Sequence, residues 1–192
     1  MAALCLALLG AIPQRYVTHY FVKQFADCRD AAAFAAAHAT LGHYTYRLGA
    51  KLSQARIVAA GNGEFEARGR AVITLSNPQL QLPKWSWPGV SAAQRTVYDA
   101  FIAALRQHEV GHAKIAEVSI GARAVDLTML AHSRVQAERA LRSALQRQLR
   151  SASDELLHKE ELYDRVTEHG RKQSDGPLYG FPGGTDVVFS CP

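Results

Sequence analysis

From Ser91 onward, Val97, Phe101, Leu105, His108, His112, Ile115 and Ser119 recur at the spacing of one α-helical face. Ser91 and Gln94 form the Ser-x-x-Gln capping box that starts such a helix, and Gly121 is placed to bend or end it. The stripe is apolar except at its centre, where two histidines and a glutamate stand in the run His108-Glu109-Val110-Gly111-His112. Polar groups on a core-facing stripe cost free energy unless something partners them. A chain with this feature must build a long packed helix and also supply a partner for its polar centre.

A metal ion is the partner that best fits the spacing. Residues four apart lie on the same side of an α-helix, about 6 Å apart along its axis, so two imidazoles can grip one Zn²⁺. The glutamate of an H-E-x-x-H pattern then reaches a metal-bound water and can accept its proton. Glu109 is therefore the expected general base, with His108 and His112 as metal ligands. Gly111 leaves room beside them for a second segment of chain. An open catalytic site needs a third protein ligand. Glu117 points away on the helix, and Asp126 and His132 are poorly placed. Glu138, on a following helix, and His169, just before Gly170, both remain open at this point.

The chain around the motif reads as strands first and helices afterwards. Tyr16–Phe25 is rich in aromatic and β-branched residues and suits a strand, and Asp27 or Asp30 can cap an alanine-rich helix reaching about Leu41. His43–Leu48 alternates, and Arg56–Ala60, the turn Gly61-Asn62-Gly63 and Glu64–Leu75 make a hairpin. Asn77–Gly89 holds three prolines and reads as an extended, edge-like connection. A second helix is expected over Arg134–Glu168, with Ala137, Leu141, Leu145, Leu149, Leu156, Tyr163 and Val166 near one stripe. The fold class is α+β: an antiparallel or mixed N-terminal sheet with one helix, then a helical half carrying the active-site helix.

Composition sets the outer bounds. The chain has 192 residues, 48% of them apolar and 20% charged, enough for one packed domain, expected over residues 13–173. Residues 174–192 read as a loop-like tail. The net charge of +5 permits an anionic partner without requiring one. Arg139, Arg142, Arg147 and Arg150 read as a solvated helix face, so no nucleic-acid partner is expected. Met1–Ile12 has the apolar centre of a secretory signal without a leading positive charge, so it reads as a truncated signal, a weak signal or a buried N-terminal helix, and it is too short to span a bilayer. Export to the periplasm or beyond is expected from it. Cys28 and Cys191 would then form an even pair able to join the two ends of the mature chain.

Tyr163-Asp164-Arg165-Val166-Thr167-Glu168-His169-Gly170-Arg171-Lys172-Gln173 resembles the YD-x-x-T-x-HG-x-x-Q signature that follows H-E-x-G-H in the domain-of-unknown-function 922 family. Leu82-Pro83-Lys84-Trp85 is similar to its LP-x-W segment. That family is described as predicted secreted zinc-dependent proteases. The resemblance implies a zincin-like metallopeptidase acting on a peptide or protein substrate, with Zn²⁺ on His108, His112 and His169. It also implies Tyr163 as a donor to the oxyanion and Asp164 as a residue orienting a ligand histidine. The alternative expectation is a non-catalytic, zinc-stabilised envelope protein, its site closed by a fourth protein ligand such as His132.

Overall fold

A computed structural model of the chain describes residues 16–38, 40–121, 123–175 and 184–192, so the expected signal segment lies outside the described residues. Four strands and three helices follow in the order β1 (Val17–Gln24), α1 (Cys28–Ala37), β2 (His43–Gly61), β3 (Glu64–Ser86), α2 (Ala92–Ile120), β4 (Ala124–Ala131) and α3 (Arg134–Thr167). A short 3₁₀ turn, Gln173–Asp175, comes after α3. The architecture is α+β, with a sheet and one helix ahead of the two long helices.

β3 is the spine of the sheet. β2 runs antiparallel along one of its edges, from Gly61 opposite Glu64 to His43 opposite Gln81. On the other edge β4 pairs antiparallel with Phe65–Val72, and β1 pairs parallel with Gln79–Ser86. The hairpin turn falls where expected, with Gly61, Asn62 and Gly63 all at positive φ. Its arms are much longer than the sequence suggests, 19 and 23 residues, and three register shifts bend them.

Three expectations are corrected. Asn77–Gly89 is edge-like only in part: Gln79–Gln81 continue β3 between β1 and β2, whereas Leu82–Ser86 pair with β1 alone. Leu80, Leu82 and Trp85 are buried in the core, and Tyr98 Oη accepts the Trp85 N–H and donates to the Pro83 carbonyl. The prolines are tolerated because side-chain burial and this tyrosine hold the segment in the sheet. β4 is a strand the strands-then-helices reading lacks; its short alternation buries only Leu127 and becomes stable by pairing with β3. The helix α1 stops at Ala37, short of Leu41, because its C-cap His38 is already extended.

The helices behave closer to expectation. Ser91 makes the full capping box with Gln94 and Gly121 caps the far end of α2. Asp27 caps α1 and Ser133 caps α3. Arg139, Arg142, Arg147 and Arg150 are all exposed. On α3, Val166 leaves the expected stripe and is 41% exposed, while Ala144 and Ala152 are buried.

Residues 184–192 of the tail form no helix or strand, yet they belong to the core. Phe189 packs against Trp85, Tyr98 and Phe101, Val187 donates its N–H to the Gly170 carbonyl, and Cys191 is disulfide-bonded to Cys28. The bond that cysteine parity allowed but did not decide is therefore present. Because this bond closes a loop of more than 150 residues, replacing Cys28 with Ser is expected to cost about 2–4 kcal/mol. Urea unfolding of the variant, and of the reduced wild type, would show the lowered midpoint.

Candidate metal centre

Where α2 and α3 approach most closely, one of them must lack a side chain. Gly111 is buried in α2, and a Cβ there would overlap the hydroxyl of Tyr163 on α3. The Tyr163 ring lies flat against His108, with centroids 4.9 Å apart and planes 11° apart, and meets His112 edge-on at 5.0 Å. The room read at Gly111 from the sequence is thus taken up by the tyrosine that backs both histidines.

The proton positions around this contact follow from three hydrogen bonds. Tyr163 Oη donates to the His108 carbonyl at 3.3 Å and accepts from Gln173 Nε2 at 2.9 Å. Gln173 therefore turns its Oε1 toward His108 Nδ1, 3.1 Å away, and that nitrogen must carry the proton. The remaining nitrogen of His108, Nε2, offers its lone pair to the cleft. Gln173 is 5% exposed, so this arrangement is shielded from solvent.

Asp164 Oδ1 sits at the focus of three imidazoles: 3.2 Å from His108 Nε2, 3.0 Å from His112 Nε2 and 3.5 Å from His169 Nδ1. The ligand atoms of His108, His112 and Asp164 all lie within 4.8 Å of one another. His169, the expected third ligand, stands beside this group, and its buried Nδ1 has no hydrogen-bond partner. It is held there by the end of α3. Glu168, His169 and Gly170 are all left-handed, and the His169 N–H bonds to the Asp164 carbonyl. Thr167 Oγ1 accepts the Gly170 N–H. A Cβ at Gly170 would meet Val187 Cγ2 at 2.7 Å, so this turn needs glycine for space as well as for φ.

Converging acceptors without a cation need protons, and the charge pattern reflects that. Burial alone would raise the Asp164 carboxyl, but its bonds to His108 and His112, and their charge, bring it well below the usual carboxylate range. Burial likewise opposes charge on His112, yet Asp164, Glu109 and Glu160 together raise its pKa. A divalent cation satisfies the same nitrogens and the same carboxylate without protons, which is the fit expected of two imidazoles, a carboxylate and a neighbouring third imidazole.

The cleft in front of these groups has a volume of about 200 Å³ and is lined by Gly42, Tyr44, Glu109, Glu160 and the histidine pair, among others. Glu109 is 4% exposed and makes no hydrogen bond among the described residues; burial raises its pKa against the pull of His112 and His108. Its carboxylate rests on Gly42, where a Cβ would come within 2.7 Å of Oε1.

The structure places the remaining candidates away from the open face of the cleft. Tyr163 is 2% exposed and its hydroxyl is committed to the His108 carbonyl and Gln173, so it braces the histidines and does not face the cleft as an oxyanion donor would. Glu138 lies about 39 Å along α3 from Asp164, at 1.5 Å per residue, and pairs with Arg142 on the surface. His132 is 86% exposed beside Glu64, and Asp126 is exposed near Arg70; neither is near the cleft. Conversely, Tyr44 and Glu160 line the cleft without having been singled out from sequence. Glu160 lies four residues before Asp164, a spacing that places both on one side of α3.

Compared with known protein families, residues 34–170 match the family described as "Bacterial protein of unknown function (DUF922)", and the chain belongs to it. No curated protein matches. No solved structure matches either.

The two shifts at the centre act in opposite pH windows in metal-free protein. Asp164, held low, stabilises the fold above its unfolded value near pH 4 and loses that contribution as pH falls through its folded value. His112, held high, stabilises fully below about pH 6.5 and loses that contribution as pH rises through its folded value. The melting temperature of the metal-free protein is therefore expected to fall above about pH 6.5. Asp164→Asn should flatten this alkaline limb, and melts collected from pH 5 to pH 9 in chelator would check it.

Proposed function

We propose that this protein is a zinc-dependent peptide hydrolase that acts outside the cytoplasm. The observation carrying the reading is the meeting of three imidazole nitrogens at one carboxylate oxygen, beside the buried carboxylate of Glu109. His108, His112 and His169 would hold Zn²⁺, with Asp164 as the anion in contact with all three. When bound, Zn²⁺ supplies a Lewis acid that polarises a carbonyl and makes water a better nucleophile at neutral pH.

The remaining work falls to the chain's own groups. Glu109 is placed to take the proton of an attacking water, and its raised pKa suits a carboxylate that must hold that proton and hand it on. Gln173 Oε1 keeps the proton of His108 on Nδ1, so that Nε2 stays available to the cleft. Tyr163 fixes both rings by stacking. The sheet edge bordering the cleft belongs to β2, whose first residues His43 and Tyr44 line it. An extended peptide would add to that edge. The Cys28–Cys191 disulfide supports a location in an oxidising compartment.

A second reading also has an observation behind it. With Asp164 touching three imidazoles, the chain offers four protein donors, and a site closed by all four would be structural. Glu109→Gln separates the two. In the hydrolase it keeps stoichiometric zinc by elemental analysis and loses at least about 100-fold in peptide turnover, whereas full turnover in this variant removes Glu109 from the mechanism. Zinc retention with no turnover in the wild type favours the structural site. His169→Ala is expected to weaken zinc binding by at least about tenfold in a chelator competition, and unchanged affinity would remove His169 from the ligand set.

A further inference from the structure

The cleft extends past the metal-binding group to a wall built by Glu160 and Glu161 of α3 and Tyr44 of β2. Two buried polar atoms on that wall, Glu160 Oε1 and Tyr44 Oη, have no hydrogen-bond partner. The second oxygen of Glu160 accepts from Tyr46 Oη at 2.9 Å, which fixes the carboxylate in place. The rings of Tyr44 and Tyr46 lie 5.6 Å apart beside it.

Charge makes this wall unusual for the molecule. The chain carries a net +5, yet no lysine or arginine lines the cleft, and none among the described residues forms an ion pair with Glu160 or Glu161. A divalent cation at the histidines would offset Asp164 and Glu109, leaving Glu160 and Glu161 uncompensated. A half-buried carboxylate with one free oxygen, a free hydroxyl and an aromatic face together match an ammonium or guanidinium group.

We propose that Glu160, with Tyr44, is a specificity subsite for a positively charged group of the bound peptide, either a lysine or arginine side chain or the peptide's own N-terminal amine. The inference rests on reading the cleft as a peptide site, and it deepens that reading by naming the class of peptide. Glu160 Oε1 takes the charged hydrogen bond, Tyr44 Oη adds a second contact, and the exposed Glu161 draws the cation toward the cleft. Peptides with a neutral group in this position leave both buried atoms unpartnered and bind less well.

The test measures binding directly, in zinc-loaded Glu109→Gln protein that cannot consume its ligand. Fluorescent, acetylated alanine-rich hexapeptides carry lysine, arginine or norleucine at each position in turn. A parallel norleucine set has a free N-terminus. Fluorescence anisotropy is expected to show at least about tenfold tighter binding of a cationic peptide over its neutral counterpart at one position, the worth of one charge-assisted hydrogen bond. Adding Glu160→Gln should bring that ratio close to one, and Tyr44→Phe, which keeps the carboxylate, should lower it several-fold. Preference for the free-amine set assigns the cation to the peptide terminus, and preference for lysine or arginine assigns it to a side chain; both support the subsite. Equal binding of cationic and neutral peptides, no binding at all, or a preference that survives Glu160→Gln overturns it. Cleavage assays of the wild type on the same peptides keep the two ideas apart. Cation-selective binding without cleavage removes the hydrolase reading alone, and unselective cleavage removes the subsite alone.

Discussion

The contact between Tyr163 and the side-chain-free surface of Gly111 governs the helical half of this protein. It brings α3 close enough for an aromatic ring to lie flat on His108, and so fixes the rotation of α3 about its own axis. Once residue 163 faces α2, residues 160 and 164 must face the cleft, because helix geometry leaves them no other direction. The end of α3 inherits the same constraint. His169 and Gln173 return to the histidine pair only because the helix stops one turn after Tyr163, in three consecutive left-handed residues. A single missing methyl group therefore sets the position of side chains drawn from two helices and the turn beyond them.

The cluster so formed is expensive in a protein interior. Two histidines and two carboxylates are withdrawn from water with few partners other than each other. Apolar packing offsets part of that cost: Tyr163, Ile115, Leu156 and Ile120 are almost fully buried close by along the α2–α3 pairing. The rest falls to protons or to a cation, so that ligand occupancy and stability are linked by mass action.

Much of this was legible in the residues, and the failures share a cause. The capping box at Ser91, the stripe of α2 and the Gly61-Asn62-Gly63 turn are local features, and local chemistry decided them. The H-E-x-x-H pair was legible because four-residue spacing on a helix is itself a distance. β4 was missed because an eight-residue alternation acquires meaning only beside β3, and the Gln79–Gln81 part of Asn77–Gly89 was misplaced because proline counts say nothing about which strands lie on either side. On pattern alone Glu138 stood level with His169, until the length of α3 carried it to the far end of the helix. Glu160 and Tyr44 carried no motif at all; only the rotation of α3 and the start of β2 put them in one place.

The turn that presents His169 is secured from beyond itself, since Val187 closes on Gly170 and Phe189 is embedded among Trp85, Tyr98 and Phe101. The side chain that presents an imidazole to the cleft is thus steadied by a segment with no group of its own there. Loosening that segment, by replacing Val187 and Phe189 with smaller side chains, would leave both long helices in place yet release the junction between them.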